Sequence, residues 1–303
     1  MPNLERISLS MDDEEKRFPE IRTRNRDEAA HALRELSLPS LKRVAFDFFL
    51  RRYRNESASP PVLHTPGVPD PLSSAICEFS QNLKDLVELS ITGAFDTSLL
   101  SPLEDISRTP WPKLRFLDFN LHATTPSGGW YFTNRFDRDL HMPYVPRPHF
   151  RVSSHSDLHN EEFSFVEEAE YAQLRPIRVF RGNVLEETLV PLIDAYADAL
   201  SAMPMLTSAA LNFQLEDERE EDPSWFCVAY FAPCQSAQKH PPRLLCPKCN
   251  RGVTRQLVTS LLDWEPSQEL ATKLRSIGDE FRKEPMVEKG MTEFLKEHED
   301  DEA

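Results

Sequence analysis

The chain has 303 residues, 40% of them hydrophobic, and a formal net charge of −15. That length holds one or two domains with room for a large core. The charge disfavours nucleic acid and anionic membrane as partners, and 8 glycines against 25 prolines argue against a glycine-rich phosphate cradle. Five cysteines, an odd number spread unevenly, fit a reducing compartment, cytoplasmic or nuclear. No apolar run approaches the roughly 20 residues that cross a bilayer, and the N-terminus shows no signal-peptide pattern.

The first element is a strand in "MPNLERISLSM", from Met1. Its frame returns in "LPSLKRVAFDF" from Leu38, "WPKLRFLDFNL" from Trp111 and "MPMLTSAALNF" from Met203. Each copy has a large apolar residue, Pro, any residue and Leu, then two residues, then apolar or small residues in alternation. Two weaker copies, "LVELSI" from Leu86 and "LRPIRVF" from Leu174, lack the Pro. Alternation puts one set of side chains on one face of a strand. Pro suits the strand entrance because it donates no ladder hydrogen bond. The leading leucines, Leu4, Leu41, Leu86, Leu114, Leu174 and Leu206, can plug the turn from helix to strand. One strand, one return segment and a shared core make the logic of a leucine-rich repeat. The spacing is uneven, and the asparagine ladder of regular repeats is missing.

Helices are expected between the strands. Residues 25–36 place Ala29, Ala32, Leu33 and Leu36 on one side. Residues 70–83 open on Asp-Pro and carry Leu72, Ile76, Phe79 and Leu83 at helical spacing. Residues 98–107 suit a shorter helix or turn. Residues 188–202 carry Leu189, Leu192, Ile193, Tyr196 and Leu200, with Thr188 as the N-cap and Pro191 in the first turn. "WFCVAYF" (225–231) is a buried strand, and 263–281 a terminal helix. Loops are expected near 54–70, 133–162 and 215–224. The last stretch, 276–303, ends as an acidic helix or tail. Helix before strand, several times over, favours a parallel sheet with helices stacked outside it.

Three local patterns bear on chemistry. Cys246 and Cys249 in "CPKCNRG" have zinc-knuckle spacing, and Cys234 and His240 complete the four ligands that a closed zinc site needs. Against zinc stands the first pair, Cys234 and His240, which lacks the usual close spacing, and Cys227 fits a core thiol better. His149, His155 and His159 lie in a Pro- and Ser-rich stretch without a metalloprotease glutamate, which reads as loop. Trp130, Tyr131 and Phe132 follow a Ser-Gly-Gly turn, and Asp217, Glu218, Glu220 and Glu221 belong to an acidic run. The aromatics are core or a partner anchor; the acids are a solvated loop or a dock for a basic partner. No G-x-S-x-G, P-loop or G-x-G-x-x-G is present.

The series "LPSL" before an alternating strand, "WPKLRFLDF" with "TPSGGWYF" behind it, "AYADALSAMPML", "FCVAYFAP" and "WEPSQEL" resembles, in that order, the C-terminal leucine-rich-repeat region of fungal F-box-type proteins. The resemblance covers roughly 1–275. It implies an arc-shaped repeat domain that selects a protein target for a cullin-based ubiquitin ligase. The family's F-box, which binds the ligase adaptor, is expected to be absent from this chain, since Met1 already opens a repeat strand. The expectation is therefore an α/β, irregular leucine-rich-repeat-like solenoid, parallel strands on one side and helices on the other. It binds a protein and is not an enzyme. The rival expectations are an enzyme using the 133–162 loop and a zinc-supported adaptor built on Cys246 and Cys249.

Overall fold

The structure, a computed structural model, describes residues 4–12, 19–49, 60–101, 110–133, 182–215, 224–233 and 254–292. Its centre is an eight-stranded sheet. Five strands run parallel in chain order: β1 (Arg6–Asp12), β2 (Arg43–Phe49), β3 (Glu88–Gly93), β4 (Phe116–Leu121) and β7 (Ser208–Leu215). Beyond β7 lie β8 (Ser224–Phe231), antiparallel to both neighbours, then β9 (Arg255–Ser260) and β10 (Met286–Gly290), parallel to each other. Two short strands, β5 (Phe132–Thr133) and β6 (Asn183–Val184), pair apart from this sheet.

The repeat frame corresponds to a repeated local geometry. The amides of Leu41, Leu86, Leu114 and Leu206 donate to the carbonyls of Leu38, Leu83, Trp111 and Met203, three residues earlier, at 3.1–3.4 Å. In three of these turns Pro39, Pro112 or Pro204 takes the second position, where its fixed φ suits the bend. The Pro therefore shapes a turn before the strand rather than beginning it. The four leucines are 0–2% exposed, and Leu4 packs at the border of the same core. Burying such a side chain stabilises by about 1.5–3 kcal/mol.

The turns are locked to one another. The carbonyl of Glu5 accepts from the amides of Lys42 and Arg43. That of Lys42 accepts from Val87 and Glu88, that of Val87 from Arg115 and Phe116, and that of Arg115 from Thr207 and Ser208. Each leucine thus stands two residues before a mutually paired position: Arg6, Arg43, Glu88, Phe116, Ser208. Leu174 lies outside the described residues, and the strand led by Leu206 is the direct neighbour of the one led by Leu114.

Helices α1 (Pro19–Glu35), α2 (Pro71–Asn82), α3 (Glu186–Ser201) and α4 (Gln268–Arg275), with a 3₁₀ turn at Thr97–Leu100, share one core. They meet only one side of the sheet: Val44, Phe46 and Phe48; Leu89 and Ile91; Leu117, Phe119 and Leu121; Ala209, Leu211 and Phe213; Val228 and Tyr230. Alternate residues of the strands point to the opposite side.

Several expectations change. The buried stripe of α1 is Arg22, Arg26, Ala30 and Leu33, not the stripe through Ala32 and Leu36, which are exposed. Arg26 is accommodated by an ion pair with Asp70. Thr188 does not cap α3; its hydroxyl donates to the Trp130 carbonyl at 2.8 Å. The terminal helix is confined to Gln268–Arg275 with Ser267 as its cap. Gly278 follows at φ +80°, where a side chain would press to 2.9 Å from the Tyr230 hydroxyl. The sheet is mixed, because β8 reverses direction. Met286–Gly290, inside the expected acidic tail, is an edge strand.

Candidate interaction face

No described helix packs on the second side of the sheet, and the aligned leucines order its side chains into columns. Six residues after each leading leucine stand Ser10, Asp47, Thr92, Asn120 and Asn212, side by side across five strands. Four residues after it stand Ser8, Ala45, Ser90, Asp118 and Ala210. The first column is wholly polar, the second small or polar. Exposure falls along the sheet: Ser8, Ser10 and Asp47 are open to solvent, Thr92, Asn120 and Asn212 are half-buried, and Asp118 is 7% exposed.

The centre of the face is a hydrogen-bonded knot. Asn120 Nδ2 donates to Asp118 Oδ2 at 3.1 Å. Asn212 Nδ2 lies 3.5 Å from Asp118 Oδ1 and 3.4 Å from Asn120 Oδ1. Below it the Arg115 guanidinium sits 5.6 Å from the Phe116 ring centre. Towards β8 and β9 the same side turns apolar: Ala210, Cys227, Ala229, Phe231 and Val258 form a second cluster, with Phe116 and Met291 against it. Burial first, then the Asp118 charge, pushes the Cys227 thiol up to about 12. It stays protonated at neutral pH and is no nucleophile. Amide and hydroxyl columns both donate and accept, which equips the face to meet the polar surface of a partner.

A second polar cluster lies where β3 ends and α2 begins. Arg26 Nη2 donates to Asp70 Oδ2 at 3.0 Å and to the Ala94 carbonyl at 2.9 Å, with the Phe95 ring 5.6 Å away. Asp70 caps α2 and also accepts from the Ser73 hydroxyl at 2.6 Å. Asp96 accepts from the Asp70 amide and from the amide and hydroxyl of Ser98. His64 Nε2 is 3.8 Å from Asp96 Oδ2, and its Nδ1 meets the Thr65 carbonyl. Serine, histidine and aspartate are all present, yet each serine donates straight to a carboxylate rather than to the imidazole. The cluster caps and cross-links the turns; it is not built as a proton relay.

Trp130, Tyr131 and Phe132 are 9, 2 and 0% exposed. The preceding turn explains this: Gly128 at φ +82° closes it, its amide donating a hydrogen bond to the Thr125 carbonyl, and the chain then folds inward. The Tyr131 hydroxyl donates to the Phe95 carbonyl at 2.6 Å, and Phe132 meets Phe213 and Phe226 edge to face. These aromatics are core, not an exposed anchor. Asp217, Glu218, Glu220 and Glu221 lie outside the described residues, as do Cys234, His240, Cys246, Cys249 and the 134–162 part of the expected loop. Among the described residues no group of three or more His, Cys, Asp or Glu could hold a metal ion, and no helix is long and apolar enough to cross a membrane.

Asp118, Asn120 and Asn212 were not singled out from sequence, although a signal exists. With the leading leucines aligned, the sixth following residue is polar in all five strands. No family model, no curated protein and no solved structure matches the chain.

Proposed function

We propose that this chain is a protein-interaction module, an irregular leucine-rich-repeat-like solenoid that recognises a protein target on the sheet face that no described helix covers. Target selection of the kind found in the repeat region of F-box-type ubiquitin-ligase receptors is the biological role that fits this reading. Adaptor binding belongs to an F-box and is assigned to none of these residues. The observation that carries the reading is the polar column Ser10, Asp47, Thr92, Asn120, Asn212 on the side opposite the helices. Successive parallel strands with equivalent leucines support it, since stacked repeats present such a surface for binding. The net charge of −15 favours a basic target and a salt-sensitive association rate.

The test is quantitative affinity capture with the full chain, comparing wild type with an Asp47→Lys/Thr92→Lys variant and a helix-side Glu28→Lys control. One or more proteins should be lost with the face variant and retained with the control, all three baits having the same melting temperature within a few degrees. Identical captures for the three would refute recognition on this face.

A further inference from the structure

We propose that β1 is a self-complementary edge through which two copies of this chain pair, antiparallel, about a twofold axis beside Leu9. Among the described residues β1 ends the sheet order, with no strand beyond it. Its sequence is Arg-Ile-Ser-Leu-Ser-Met-Asp. It has no Lys or Pro, residues that commonly blunt an exposed edge, and its two charged residues stand at its ends. Arg6, Ser8, Leu9 and Ser10 are all exposed, Leu9 to 47%.

The direction of the free backbone groups follows from the parallel ladder. In such a ladder a residue bonds to the two residues flanking its partner. Arg43 is the partner of Arg6, and its amide donates to the Glu5 carbonyl at 3.0 Å. Glu5, Ile7, Leu9 and Met11 therefore turn their backbone groups towards β2. Arg6, Ser8, Ser10 and Asp12 turn theirs outward, available to another strand.

An antiparallel partner must pair outward residues with outward residues. Centring the axis on Leu9 sets Arg6 opposite Asp12 of the second copy, Ser8 opposite Ser10, and the reverse on the other half. All four outward positions are then paired, and residues of opposite formal charge stand opposite each other at both ends. The odd residues fall into register as well: Leu9 opposite Leu9, and Ile7 opposite Met11. Ile7 and Met11 border the main core, so the exposed Leu9 side chains would bridge the two cores. Opposite-charge, serine–serine and apolar cross-strand pairs are each favourable. The axis runs perpendicular to the sheet, so both helix layers stay on one side and both polar faces on the other. This inference stands on β1 alone and survives failure of the proposed function.

The test uses the full chain in sedimentation equilibrium across a wide concentration range, with two sets of variants. Wild type should move from 34.9 kDa towards twice that mass as concentration rises. Arg6→Asp should weaken pairing about tenfold, because it sets like charges opposite each other twice, and Arg6→Asp/Asp12→Arg should restore it. Leu9→Cys should give a covalent dimer on mild oxidation, since facing residues of this kind sit about 4.5 Å apart at Cα, within disulfide reach. Met205→Cys, 52% exposed elsewhere, should not exceed wild type. Circular dichroism checks that each variant is folded. A monomer at every concentration with no Leu9→Cys cross-link overturns the proposal; so does a dimer indifferent to both Arg6→Asp and Leu9→Cys.

Discussion

The two ends of the sheet are closed by different chemistry. β2, β3, β4 and β7 are each led by a buried leucine in the same hydrogen-bonded turn. At the far end β9 is led by Arg255, 5% exposed. Its amide donates to the Pro285 carbonyl, its Nε to Glu284 O at 2.7 Å and its Nη1 to Ile277 O at 2.7 Å, while Nη2 pairs with Asp279 at 2.6 Å. One end fills its turns with hydrocarbon, the other ties them with a cation. A leucine serves two neighbouring strands through non-directional packing, so it can repeat. The arginine is matched to three particular carbonyl and carboxylate oxygens, so it works once.

Substitutions can separate these two modes. The largest effect is expected for Leu114→Ala, a fully buried plug in the turn before β4: a loss of about 3 kcal/mol in global stability, read as a lower urea midpoint with an unchanged slope. Arg255→Met should cost less, about 2 kcal/mol, since Asp279 is largely solvated and water can reach it once freed. Its signature should also be local. Amide exchange should accelerate in β9 and β10 while β2 to β4 keep their protection; equal acceleration everywhere would erase the distinction drawn here.

The smallest effect concerns the surface ion pairs between neighbouring turns. Lys42 Nζ lies 2.5 Å from Glu5 Oε1, and Lys113 Nζ lies 2.5 Å from Asp85 Oδ1. The hydrogen bond from each lysine, then its charge, holds both carboxyls below their ordinary values of 4.5 and 3.8. A depressed folded value means that the contribution is present above the ordinary value and is lost as pH falls through the depressed one. The urea midpoint should therefore drop slightly more steeply below about pH 4 in wild type than in Glu5→Gln/Asp85→Asn. Added salt should shrink that difference, because the pairs are exposed.

What could be read from sequence divides along the same line. The leading leucines and their strands were legible because the signal lies within a dozen consecutive residues, and α2 was legible because its cap and apolar stripe are local. The direction of β8 was not: an alternating apolar strand looks the same in either orientation. Met286–Gly290 was too short and polar to stand out, since its pairing depends on β9. Arg22 and Arg26 look like solvent-facing charges until Asp70, Ala94 and Phe95, distant in the chain, are brought to Arg26. The polar column was hidden for a related reason. Each member is an ordinary strand residue, and only the register between strands makes five of them neighbours.

The uniform turn has a practical consequence. Leu4, Leu41, Leu86, Leu114 and Leu206 are spaced by 37, 45, 28 and 92 residues, yet every strand arrives at the same height beside its neighbour. The clasp that Leu41, Leu86, Leu114 and Leu206 each form with the carbonyl three residues earlier resets the chain whatever was threaded before it. Loop closure becomes only slowly costlier with length. A reporter domain spliced into the 92-residue interval should thus leave the stacking order undisturbed, which makes that interval a natural socket for engineering.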